Sequence, residues 1–103
     1  MKKFLVGMAI FSSFIYADCS SGGCYDVEIT RIFATDAGVI WVTPSGDVSQ
    51  LNCTPAGNTS LTLEDTAGKN AIYSFLLTQM TTKKHVNLRV HEGTNGCSIA
   101  YAY

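Results

Sequence analysis

The stretch SLTLEDTAGKNAIYSFLLTQMTTKKHVNLRV, residues 60–90, changes its hydrophobic period twice. Ser60 to Glu64 alternates apolar and polar side chains, the pattern of a strand, because successive side chains leave a pleated backbone on opposite faces. From Lys69 the apolar positions recur at helical spacing instead. Ile72, Phe75, Leu76 and Met80 fall on one stripe predicted to face a core, with Lys69, Tyr73, Leu77 and Thr78 partly available to a neighbour or to solvent. Asp65 or Thr66 is expected to cap this helix, since a side-chain oxygen there accepts an orphan N–H of the first turn. Lys83 and Lys84 put positive charge at the carboxyl end, where the helix dipole is negative. Val86-Asn87-Leu88-Arg89-Val90 then alternates strictly, so the period returns to that of a strand.

Working outward, Tyr25 to Thr30 alternates before the phase changes at Ile32-Phe33, which reads as a strand bent near its end. Thr35 to Gly38 has turn chemistry, and Val39-Ile40-Trp41-Val42-Thr43 is a β-branched and aromatic second strand. Val48 to Asn58 is ambiguous and ends in loop. After Gly93-Thr94-Asn95-Gly96, Cys97 to Tyr103 alternates large and small residues as a last strand. The expected order is β-β-β-α-β-β: mainly β with one helix, with no internal repeat and no second domain.

Met1-Lys2-Lys3, the apolar run Phe4 to Ile15 and a small residue at Ala17 have the form of a bacterial secretory signal. The expectation is a signal peptide over residues 1–17, cut before Asp18, and a single domain over residues 18–103. The apolar run is too short for a comfortable membrane span, so stable insertion is not expected. Without Lys2 and Lys3, the seven basic residues fall to five against eight acidic ones, a balance that does not attract nucleic acid. An exported domain of this size with four cysteines is expected to hold two disulfides. Three connectivities are open. The preferred one joins Cys19 to Cys24 locally and Cys53 to Cys97 across the chain, since closing the sheet brings the loop after the second strand to the start of the last.

No catalytic signature or zinc spacing stands in the chain, and no metal or cofactor is expected. His85 and His91 flank the fourth strand at opposite ends and are expected on the surface. Trp41 is expected to anchor the core and Tyr101 and Tyr103 to be partly buried. Asn52 and Asn58 head glycosylation sequons that the bacterial signal renders idle.

Five strands with a helix between the third and fourth is the order of the OB-fold, a partly open five-stranded barrel. Val27 to Ile32, Leu76 to Thr82 and Val86 to Val90, set behind a signal peptide, resemble the receptor-binding B subunits of bacterial AB5 toxins, the subtilase-cytotoxin type in particular. That resemblance implies a homo-pentameric ring beside an exported enzymatic subunit, with glycan bound on a barrel face near the start of the first strand. Tyr25 and Asp26 stand there in place of the family's serine, and Val90 and His91 in place of its tyrosine. The candidate binding residues are therefore Tyr25, Asp26, Arg31 and His91. The expected function is that of a secreted or periplasmic, non-enzymatic module for a cell-surface glycan or protein receptor. The alternatives are an inhibitor of a hydrolase, presenting a loop such as Thr54 to Thr59, or a stand-alone exported protein.

Overall fold

Alternation along short strands, interrupted by a helix, is also what the three-dimensional structure is built from. The computed structural model describes residues 18–103, so the signal peptide expected over residues 1–17 lies outside the described residues. In chain order the elements are β1 (Asp18–Ser20), β2 (Gly23–Val27), β3 (Ile29–Ala34), β4 (Ile40–Pro44), a 3-10 turn (Val48–Gln50), β5 (Thr54–Pro55), β6 (Leu61–Leu63), α1 (Lys69–Thr81), β7 (Val86–Val90), β8 (Asn95–Gly96) and β9 (Ile99–Ala102).

Two sheets carry the fold, one ordered β1-β2-β7-β9 and the other β3-β4-β6, and every neighbouring pair within them is antiparallel. The expected first strand is in fact two. Asp26 takes a left-handed φ of 56° and the β2–β7 register slips between Cys24 and Val27, so the chain leaves one sheet and enters the other. The sheets do not close into the expected five-stranded barrel. Their far edges meet in a single parallel bridge, Thr62 to Ser98, with the Thr62 N–H donating to the Cys97 carbonyl at 3.3 Å. Gly96 and Cys97, with φ of 99° and 49°, kink the chain just before β9, where the pairing with the short strand β6 is a single bridge.

The core lies between the inner faces. Val27, Val42, Leu61, Leu63, Val86 and Leu88 are almost fully excluded from solvent, and Leu76 of α1 inserts among them. The helix packs against β3 and β9. Its core-facing stripe is the expected one: Leu76 is fully buried, and Ile72, Phe75 and Met80 pack against the core, joined by half-buried Tyr73. Neither Asp65 nor Thr66 caps the helix through its side chain; Gly68 is the cap residue, and the Thr66 carbonyl accepts the Lys69 N–H at 3.1 Å.

Both disulfides of the preferred connectivity are present. Cys19 and Cys24 face each other across the β1–β2 hairpin, and both are buried. Cys53 joins Cys97 over 44 residues, beside the parallel pair β5–β8. Two such bonds point to an oxidising compartment, outside the cell or in a periplasm. No helix among the described residues is long and apolar enough to cross a membrane. At the 3-10 turn, the hydroxyl and then the N–H of Ser49 bond the Asp47 carboxylate and hold its pKa below the usual carboxylate value.

Truncating Leu76 to Ala is expected to cost about 2–5 kcal/mol, because the neighbours of a fully buried leucine relax only partly. Leu77→Ala, one residue on and 38% exposed, should cost well under that. Urea unfolding of the two variants checks the helix orientation. Cys53→Ser should lose about 2–5 kcal/mol in the same assay, the usual range for a native disulfide in a small exported domain.

Candidate functional site

The outer face of the four-stranded sheet is assembled by the same alternation that fills the core. On β7, Val86, Leu88 and Val90 are buried, which turns Asn87 and Arg89 outward. On β2, Cys24 is buried while Tyr25 is 38% exposed. Register aligns Gly23, Arg89 and Tyr101 across β2, β7 and β9. The next row outward is centred on Asn87, which exchanges backbone hydrogen bonds of 2.8 and 3.0 Å with Tyr103. Tyr101 and Tyr103, expected to be partly buried, are instead 53% and 62% exposed. Their rings stack 6.1 Å apart at an interplanar angle of 30°. Among the described residues nothing covers these rings, and the helix packs against β3 and β9.

Glycines let the polar groups lie down on this surface. A Cβ on Gly22 would sit 2.3 Å from Nη1 of Arg89, so the guanidinium rests on the bare backbone of the β1–β2 turn. One on Gly23 would come within 2.9 Å of the Tyr25 hydroxyl. The guanidinium is held from its other side: Nη2 lies 3.3 Å from Oε2 of Glu92, whose Oε1 accepts from Nδ2 of Asn52 at 3.1 Å. The face thus offers three tyrosine rings with their hydroxyls, a fixed guanidinium and an amide on one rigid sheet. Tyrosine supplies broad amphipathic contact at low entropy cost, and arginine and asparagine supply directional donors.

The four residues expected to bind ligand do not form one site. Tyr25 belongs to this face. Asp26 lies at its edge, donating its N–H to Oδ1 of Asn87 at 3.0 Å, but its carboxylate is engaged by Nδ1 of His85 at 2.9 Å. Arg31 is on the other sheet, its guanidinium 5.2 Å above the ring of Phe33, which in turn lies 5.2 Å from Trp41. His91 follows the end of β7, exposed, with its N–H donating to the Ser98 carbonyl at 2.9 Å. Trp41 is not a core anchor: Ile40 and Val42 take the inner positions of β4, and Trp41 packs outside beneath the turn at Gly57. Asn87, Arg89, Tyr101 and Tyr103 were the residues missed as a group. The alternation of Val86 to Val90 already singles out Asn87 and Arg89, but only the β7–β9 register brings the two tyrosines beside them.

Comparison with protein-family models, with curated proteins and with solved structures finds no match.

Two glycine substitutions separate the backbone from the surface it carries. Gly23→Ala would place Cβ 2.5 Å from the Leu88 carbonyl oxygen, a backbone clash that should cost about 1–3 kcal/mol. On Gly22→Ala the nearest atoms are those of the Arg89 guanidinium, a side-chain end that can shift, so the melting temperature should stay nearly unchanged while the guanidinium is displaced. Thermal unfolding of both variants measures the difference.

Proposed function

We propose that this chain is an exported, non-enzymatic binding module whose tyrosine-bearing sheet face recognises a cell-surface glycan. The observation that carries this reading is the exposure of Tyr25, Tyr101 and Tyr103 on the same sheet face as Arg89 and Asn87. A soluble protein seldom leaves three large rings on one open face without a partner for them. Sugars suit the face: their C–H surfaces stack on aromatic rings while their hydroxyls pair with amide, guanidinium and phenol groups.

An OB-like origin of the scaffold is part of the proposal. Its support is the circuit of strand contacts, from β2–β3 to β4, to β6, through the Thr62–Ser98 bridge to β9, to β7 and back to β2, with one helix between β6 and β7. That circuit has the strand order of the fold shared by AB5 B subunits, and we extend the reading to a homo-pentameric ring serving an exported enzymatic partner. A ring needs two different complementary surfaces on each subunit. The exposed Leu77 side of α1 and the edge of β3 that is unpaired among the described residues are available for them. The inhibitor reading has less support, because the loop that would protrude is tied down: Thr54 and Ala56 donate N–H bonds of 3.0 and 2.8 Å to Thr94 and Ser60, and Gly57 rests on Trp41.

The test is a glycan array probed with the mature chain, with Tyr101→Ala and Tyr25→Ala beside it. Selective binding that falls at least about tenfold in both variants, at an unchanged melting temperature, is the expected result. An array silent at high protein concentration, or variants that bind like the parent, would overturn the glycan reading. Sedimentation analysis of the same sample should give a species several times the monomer mass, and a strict monomer would remove the ring.

A further inference from the structure

We infer that the groove between the start of β3 and the carboxyl end of α1 is a separate site for a small zwitterion, a free α-amino acid with an apolar side chain. The groove measures about 250 Å³ and is lined by Glu28, Ile29, Thr30, Gln79, Met80 and Lys83. Its size is below the range of about 300–1,000 Å³ that holds drug-sized ligands, and so it suits an amino acid better than an oligosaccharide. Opposite charges stand on its two walls, Glu28 from the strand side and Lys83 from the helix side. Among the described residues no ion pair joins them; Arg89 pairs with Glu92, and the His85 ring lies against Asp26 and Glu28. An ammonium group therefore finds a carboxylate on one side, and a carboxylate finds an ammonium on the other. Ile29 and Met80 supply the apolar contact between them.

The backbone of the acidic wall is tied to its neighbours. His85 bonds the Asp26 carboxylate through Nδ1 at 2.9 Å, and its Nε2 lies 3.8 Å from Oε2 of Glu28. The Glu28 N–H also donates to Oγ of Ser45 at 3.1 Å. Lys83 follows the helix with a φ of 57°, in the left-handed region that glycine occupies without cost at helix ends. A lysine there carries backbone strain that a glycine relieves, and strain of this kind concentrates at sites that use the side chain. A purely anionic ligand would meet Glu28 and a purely cationic one Lys83, so the groove selects for a molecule with both charges.

Titration of the ¹⁵N-labelled mature chain with L-leucine tests the site, with leucinamide and N-acetyl-L-leucine as probes that each keep one of the two charges. L-leucine should give saturable shifts at the amides of Glu28, Thr30, Gln79 and Lys83, and each single-charge probe should bind at least about tenfold more weakly. Lys83→Gly should melt no lower than the parent and yet lose the response, as should Glu28→Gln, whereas Tyr101→Ala should retain it. The inference is overturned if L-leucine causes no shift up to its solubility limit, if the single-charge probes bind equally well, or if Lys83→Gly binds like the parent.

Discussion

The strand that starts at Gly23 cannot run on as one flat ribbon, because Asp26 adopts a left-handed φ and its pairing with β7 slips by a residue at the same place. For a residue other than glycine this conformation costs about 1–2 kcal/mol, and the surroundings offset it: the Asp26 N–H bonds Asn87 and its carboxylate bonds His85. Because the strand bends, one continuous segment serves both sheets, and residues five or six apart end on different faces of the molecule. Tyr25 joins Arg89 and Asn87 on one sheet, whereas Arg31 joins Phe33 and Trp41 on the other. The bend also lifts Glu28 to the rim of the groove below the helix.

What keeps so small a core together is covalent as much as hydrophobic. A domain of this size buries a limited share of its surface, and the two disulfides add covalent closure to it. Cys53–Cys97 clamps the end at which the two sheets share a single bridge, and Cys19–Cys24 ties the edge strand β1 to β2. Around the first of these, Thr62 bonds the Gly96 carbonyl at 3.1 Å, and Gly96 lies so close to Thr62 that a side chain there would crowd it. The open seam is thus secured without a full ladder of strand pairing.

Periodicity carried the parts of the fold that depend on burial of one face. The helix from Lys69 and the strand Val86–Val90 lie where their patterns place them, and the mainly β character follows from the same patterns. The hairpin of β1 and β2 escaped notice because its strands are short and its turn, Ser21-Gly22, lies in a Ser/Gly-rich segment that reads as coil. How far the expected, partly open barrel closes was not legible for a different reason: its last contact, a single bridge, lies beside backbone kinks at Gly96 and Cys97 that no side-chain period reports. Trp41 was misplaced because β-branched Ile40 and Val42 compete for the inner face and win it. For the candidate site, the outward pair Asn87 and Arg89 could be read from alternation alone. Tyr101 and Tyr103 could not be joined to them without the order of strands in the sheet.

The tyrosine face and the charged groove lie on opposite sides of the Asp26 bend, so an engaged ligand leaves a distinct imprint at each. The central claim is that the four-stranded sheet presents the recognition surface, and the most direct measurement is amide chemical-shift mapping of the mature chain with a glycan selected by the array. The account predicts perturbations centred on Gly23, Asn87, Arg89 and Tyr101, with Arg31, Phe33 and Trp41 unmoved. Perturbations centred on Arg31, Phe33 and Trp41, with the tyrosine face silent, would contradict it.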